Sequence, residues 1–409
     1  MTRAAVFTIP GDGHLRTTLP IATELVRAGV DVDFYAHAPA RPLVERTGAH
    51  FVDIYDSRDM DVPDATSLPV PMRNVSFAGY WADDIVDQVA GTAPDLILND
   101  TFAVIGRVVA QQLELPRVQL VAGHNLHPDI TVAAARRDPQ LVVAPECLAS
   151  AEALASRYGI ADASPFSYLH DTTADFVLYP EPPEFLPASM RYPFSDVGFF
   201  GSLWEPLLTP KAGPPLFGED DGGMCVYVGV GTAYWMIDPA LAVHTLTVLA
   251  DALSGRPDTQ TVISLGGSPV ADELIPILTR PNVEVRGFVD QQAALASADV
   301  FVSHNGLNST HEAVYHLVPM ISIPQFGDQH GMARTVTDLG LAIPLGTPFG
   351  GAAANAAPGP SFTDADVVRV LDEVAASRSE LQQRLRTARE WELDVMARRP
   401  EVVQRILEL

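Results

Sequence analysis

Residues 301–329, FVSHNGLNSTHEAVYHLVPMISIPQFGDQ, constrain the fold more than any other stretch of this chain. Ala298-Asp299-Val300-Phe301-Val302 is the short apolar run of a buried strand, and it stops at His304. Asn305-Gly306 turns the chain, and Ser309-Thr310-His311-Glu312 then opens a helix carrying Ala313, Val314 and Leu317. A second strand follows, and after it a polar loop, Pro324-Gln325-Phe326-Gly327-Asp328-Gln329. Strand, loop, helix, strand, loop is the repeating unit of a parallel α/β sheet. Both polar loops fall at carboxyl ends of strands, where open sheets of this kind bind ligands. The residues leave two readings open for the helix start. Its orphan amides can seat an anion, above all a phosphate. Equally, Ser309-x-x-Glu312 has the form of a capping box, which needs no ligand.

The same rhythm runs through the rest of the chain. Strand-like runs at 4–9, 31–35, 96–98, 118–120 and 176–178 alternate with helical patterns, of which Ile21, Leu25 and Ala28 form one. A proline-dense stretch, 180–215, reads as an irregular connection between domains. The rhythm resumes at 224–230, 261–265, 283–285, 300–302 and 320–323. Residues 350–360, GGAAANAAPGP, read as a flexible loop, and beyond it 364–375 and 381–409 look helical, interrupted at Pro400. A length of 409 residues fits two domains. The expected architecture is α/β, two doubly wound domains facing each other across a central cleft.

Composition narrows the partners. Lys+Arg 26 against Asp+Glu 51 gives a net charge of −25, which repels nucleic acid and anionic membrane. An anionic ligand must therefore be held by local amides and a few side chains. A hydrophobic share of 47% suffices for two packed cores. Lys211 is the only lysine, and Cys147 and Cys225 lack the spacing of a disulfide framework or zinc site. The first residues run straight into a strand, and no run of about 18 apolar residues suggests a membrane span. A cytoplasmic protein is expected.

Several side chains stand where chemistry is done. The first loop, Pro10-Gly11-Asp12-Gly13-His14, lacks the third glycine of a dinucleotide fingerprint, because Arg16 stands there. His14 taken alone reads as a structural or exposed histidine, and Asp100 as a cap for the helix beginning near Val104. Val228-Gly229-Val230-Gly231-Thr232 ends another strand in a glycine loop, otherwise an ordinary βα turn. Met72, Phe77, Tyr80 and Trp81 cluster, and Ala122-Gly123-His124-Asn125-Leu126-His127 follows a strand end. These residues are either core or the lining of an apolar pocket.

HNGLNSTHEA followed by PQFGDQ, with Arg286-Gly287-Phe288-Val289-Asp290-Gln291 upstream, resembles the donor-binding segment of family 1, GT-B fold glycosyltransferases. The bacterial macrolide and antibiotic type is the nearest in pattern, and the resemblance extends over nearly the whole chain. It implies an acceptor domain at 1–200, a linker at 201–220, a nucleotide-sugar domain at 221–380, and helices at 381–409 packing back toward the first domain. It implies His14 as general base, oriented by Asp100, which would fix the tautomer and stabilise the imidazolium. Phe288, with Val289 and Gln291, would hold the nucleobase. Thr232, His304, Gly306, Asn308 and Ser309 would surround the diphosphate, with His304 donating to it, and Glu312 would accept from the ribose. Asp328 and Gln329 would read sugar hydroxyls, which favours a hexose with intact 3- and 4-hydroxyls, such as glucose. Phe77, Trp81 and His124 are the acceptor-side candidates.

The reaction implied is an inverting hexosyl transfer to a hydroxyl of a hydrophobic natural product. It uses no cofactor and no metal, the nucleotide sugar being a co-substrate. Asp31-Val32-Asp33 and Asp364-Ala365-Asp366 are the nearest approaches to a DxD motif, the one inside a strand and the other at a surface helix start. Self-association into a homodimer is left open. Three departures stand out: Asn305 for the second glycine of HGG, Asp290 for the proline of VPQ, and Leu15-Arg16-Thr17 after the histidine. The rival readings are a dTDP-deoxysugar antibiotic glycosyltransferase, a GT-B nucleotide-sugar epimerase or hydrolase, and a non-catalytic binding protein. The last would keep the donor loops and lose the base.

Overall fold

The computed structural model describes residues 2–210, 215–218, 223–232, 234–346 and 362–409. The chain divides into two compact units, one of Met1–Ser202 with Asp394–Leu409, the other of Leu203–Leu393.

The strands of the first unit are β1 (Arg3–Phe7), β2 (Asp31–Ala36), β3 (His50–Asp53), β4 (Leu96–Asp100), β5 (Arg117–Leu120), β6 (Phe176–Tyr179) and β7 (Val197–Phe199). They pair in parallel in the order β3-β2-β1-β4-β5-β6-β7. Every residue of β4 and β6 is buried, as crossover helices on both faces of a parallel sheet require. Strand order reverses between β1 and β4, and that switch point opens a crevice beyond their carboxyl ends.

In the second unit, β8 (Met224–Gly229), β9 (Thr259–Ser264), β10 (Val283–Arg286), β11 (Val300–Ser303), β12 (Met320–Ser322) and β13 (Ala342–Pro344) form a parallel sheet. Its order is β10-β9-β8-β11-β12-β13, with the switch point between β8 and β11. Val226, Val228, Ile263, Val300 and Ile321 bury one face of this sheet against Leu246, Leu249 and Leu371. Among the described residues no helix is long and apolar enough to cross a membrane.

The α/β class and most strands agree with the sequence pattern, and the differences have physical causes. The edge strands β3, β7 and β13 were not foreseen. Each lies at a sheet edge, where no apolar run is needed. β7 and a turn of helix at Glu205–Leu208 lie inside the proline-dense stretch read as irregular. An edge strand has only one neighbour, so the residues on either side of it tolerate proline. The two helical runs expected near the carboxyl end are one helix, Asp364–Ala397, followed by Arg399–Leu407. The interruption falls at Arg398, and Pro400 sits in the first turn of the second helix, where its missing N–H costs nothing. Lys211 and the loop at 350–360 lie outside the described residues, as does part of the expected 201–220 linker.

Candidate active site

In the first unit, β1 leads to Gly11, whose extended backbone caps the helix Asp12–Arg27. His14 therefore stands in the first turn of this helix rather than in a loop ahead of it. Its ring lies 4.7 Å, centroid to centroid, from Phe102. Asp100 ends β4 on the other side of the switch point and is fully buried. Its Oδ2 lies 2.6 Å from His14 Nδ1, and its Oδ1 accepts from the Phe102 amide at 2.8 Å. The capping role fails, because the helix Val104–Leu113 has Ala103 at its N-cap and no side-chain cap.

A buried carboxylate needs hydrogen-bonded partners, and this one has the imidazole and an amide. In the neutral ring, the bond to Asp100 places the proton on Nδ1 and the lone pair on Nε2. The His14 side chain is 20% exposed, whereas Asp100 is sealed. Tyr55 lies nearby, its hydroxyl donating to the Thr8 carbonyl at 3.4 Å. Burial, and then the Asp100 charge, push its phenol far above the usual range, so it stays neutral.

In the second unit, the glycine loop after β8 and the residues after β11 meet around His304. Its Nδ1 lies 3.2 Å from the Gly229 carbonyl oxygen and the ring is buried. A Cβ on Gly231 would come 2.7 Å from Nε2, and one on Gly306 only 2.4 Å. Both glycines are thus required by close approach, and Gly231 also takes a φ of +74°. Burial pushes the His304 pKa down to about 4, opposed by the bond to Gly229. The ring is neutral at ordinary pH.

The helix that follows runs Leu307–Tyr315 with Gly306 as N-cap and no side-chain cap. Its first backbone bond is Thr310 N to Gly306 O, 3.0 Å, so the amides of residues 307–309 precede the ladder. The helix starts two residues earlier than its spacing suggested, Ser309 is its third residue, and the capping box does not form. Instead the Gln291 amide nitrogen donates to Ser309 Oγ at 3.1 Å and to Glu312 Oε2 at 2.5 Å. The competition expected between capping and ligand roles of Glu312 therefore does not arise. Asn308 lies in this first turn.

Two of the departures from the family pattern have local explanations. Asn305 is fully buried at φ +57°, and asparagine is among the few side chains that accept this backbone. Asp290 accepts from the Gln292 amide at 3.1 Å and caps the helix Gln291–Leu295. Nothing in the structure explains Leu15-Arg16-Thr17.

Phe288 is 65% exposed beside buried Val289, and Thr232 is exposed. Gln329 is buried, its Oε1 accepting from the amides of Gln325 at 3.0 Å and Phe326 at 3.4 Å. It braces the loop, and only its amide nitrogen is left to address a ligand. Asp328 is half-buried at the N-cap position of the helix Gln329–Asp338.

Of the acceptor-side candidates, Phe77 is a correction. The helix Arg73–Ala90 turns it inward with Ala78, Ala82 and Ile85, and it packs on Tyr55 at 5.1 Å. Trp81 is half-buried and meets exposed Tyr80 edge-on at 4.8 Å. His124 is buried, with Nδ1 2.8 Å from the equally buried Glu181 Oε2. Neither Glu181 nor Tyr227, whose hydroxyl reaches Gln291 Oε1 at 3.5 Å, was singled out from the sequence. Their partners come from other strands, and only the strand order brings them together.

The chain also resembles known proteins. Residues 242–347 match the family described as UDP-glucoronosyl and UDP-glucosyl transferase. The chain is 24% identical to the NDP-glycosyltransferase YjiC of Bacillus licheniformis over 394 residues, covering 93% of each chain. It is 27% identical to the oleandomycin glycosyltransferase of Streptomyces antibioticus over 354 residues, covering 84% of this chain and 79% of that one. Among solved structures, the glycosyltransferase of kitacinnamycin superposes with a TM-score of 0.75 at 21% identity, covering 99% of this chain and 98% of that one.

Proposed function

We propose, for a chain that belongs to the family 1 glycosyltransferases of GT-B fold and bacterial natural-product type, that it moves a hexose with inversion from a nucleoside diphosphate sugar to a hydroxyl of a hydrophobic acceptor. One observation carries this reading: a partly exposed imidazole whose Nδ1 is held at 2.6 Å by a fully buried carboxylate, at the switch point of its sheet. His14 Nε2 takes the proton of the acceptor hydroxyl as that oxygen attacks the anomeric carbon. Attack comes from the face opposite the nucleotide, through an oxocarbenium-like state. The bond from the anomeric carbon to the phosphate oxygen breaks, and the diphosphate leaves with its electron pair. Asp100 stabilises the imidazolium that forms. Negative charge grows on the departing oxygen, and the amides at the start of the helix Leu307–Tyr315 are set to meet it. Exposed Phe288 supplies the stacking face for the base, and Gln291, Ser309 and Glu312 form the polar wall beside it.

A UDP-glucose-like donor is the favoured reading, from the Asp328–Gln329 pair. The rival, a dTDP-deoxysugar donor, has one observation in its favour: the loop amides occupy the Gln329 carbonyl oxygen, so this pair reads fewer hydroxyls than its composition offers. Calorimetric titration with UDP-glucose, dTDP-glucose, UDP and dTDP, with a chelator present, separates the two. Tight binding on the UDP side supports the favoured donor and a dTDP preference the rival. Failure of all four to bind overturns the function itself.

A further inference from the structure

His304 sits between two acceptors. On one side its Nδ1 lies 3.2 Å from the Gly229 carbonyl oxygen, and a carbonyl only accepts, so that nitrogen carries the proton of the neutral ring. On the other side Nε2, with its lone pair, points into the gap between Gly231 and Gly306. This gap is where the glycine loop meets the N-cap of the helix Leu307–Tyr315, the seat assigned above to the diphosphate. An unprotonated Nε2 would set a lone pair against phosphate oxygens, which is repulsive. Moving the proton to Nε2 would instead set a lone pair against the Gly229 carbonyl. Only a doubly protonated ring satisfies both neighbours.

We propose that donor binding protonates His304: the nucleotide sugar is taken up together with one proton, and the imidazolium so formed bridges Gly229 and the diphosphate. The inference rests on the donor reading above. The proton moves from solvent to Nε2 and no covalent bond to the ligand forms. The positive charge is thus brought in with the anion, in place of a lysine or arginine kept buried beforehand. When the leaving group gains its full charge, this ring already stands as a charged donor to it.

The neighbouring elements leave this titration to His304. The loop after β9 carries no titratable group between Ser264 and Ser268. On β8, burial pushes the Tyr227 phenol above its usual range, so it stays neutral. On the helix, Glu312 is held by Gln291, and His311 lies 2.5 Å from Glu392. His330, half-buried in the helix Gln329–Asp338, is a second histidine of the same unit, with its pKa lowered mainly by burial.

Calorimetry in buffers of different ionisation enthalpy counts the protons. UDP-glucose and dTDP-glucose suit the purpose, because their diphosphates are esterified at both ends and do not titrate near neutrality. At about pH 6 the binding sugar nucleotide should bring in about one proton. Because protonation is favoured only in the complex, the sign is that binding tightens as pH falls. Kd should rise about tenfold per pH unit above the free-ring value until the pKa of the complex is passed. His304→Gln, which offers a neutral donor in place of Nε2, should bind without the uptake, and His330→Asn should keep it. If His304→Gln does not fold, the pH slope of the wild type stands as the second measurement. Tight binding with no uptake and a flat pH profile overturns the proposal and leaves the donor reading standing. Failure of both nucleotide sugars to bind overturns the two together.

Discussion

At the scale of single residues, two histidines have opposite surroundings. His14 is bonded to a buried carboxylate and His304 to a backbone carbonyl, and the proposed roles as base and as anion partner follow this difference. His14→Ala should lower turnover by about 10² to 10⁴, the usual worth of a general base, with donor affinity within a factor of about two. Loss of donor affinity to the same degree would place His14 in binding instead. Gly306→Ala adds a methyl 2.4 Å from His304 Nε2 without backbone strain, its φ being −63°. It should weaken donor binding at least about tenfold and cost about 1 to 3 kcal/mol of stability, as isothermal titration and thermal unfolding would show. Both positions stood out in the sequence at loops after strand-like runs, but their roles came only from the family resemblance, since His14 taken alone reads as structural or exposed. Asp100 was paired with His14 through that resemblance, whereas the closeness of Gly229 and Gly231 to His304 could not be read, since both reach it from the neighbouring strand and the loop after it.

At the scale of elements, the helix Leu307–Tyr315 decides between a cap and a ligand seat. Its sequence permits either. The structure starts it at Gly306, places Ser309 inside, and ties Ser309 and Glu312 to Gln291 from the next loop. A capping serine would cost about 1 kcal/mol on removal. Ser309→Ala should cost under about 0.5 kcal/mol in chemical denaturation, yet lower nucleotide affinity severalfold. A loss of a full cap's worth of stability with unchanged affinity would restore the capping-box reading. The start was misjudged because the Ser-x-x-Glu spacing fits two registers two residues apart, and the packing of Gly306 on His304 selects one. Central strands were readable from their apolar runs, whereas β3, β7 and β13 lie at sheet edges where no such run is needed.

At the scale of the whole molecule, the chain builds two sheets of nearly the same winding, with His14 and Asp100 at the switch point of one and His304 at that of the other. The last residues rejoin the first unit, where Arg399, 1% exposed, donates to the carbonyls of Phe200 at 2.9 Å and Gly201 at 3.1 Å. Arg399→Ala leaves these acceptors buried and should cost about 2 to 4 kcal/mol in the unfolding of the first unit. Nucleotide binding by the second unit should persist, and a parallel loss of both would show that the units do not fold separately. The two-domain organisation could be read from length and rhythm. The return of the chain to the first unit was expected only through the family resemblance, because no local pattern marks which core a terminal helix joins. What remains to be tested above all is the chemistry, through the anomeric configuration of the product. With an α-linked nucleotide sugar and a hydrophobic hydroxyl acceptor, NMR of the isolated glycoside should show a β linkage, formed only when the acceptor is present. An α-linked product, or free sugar released at the same rate without acceptor, would contradict inverting transfer by His14.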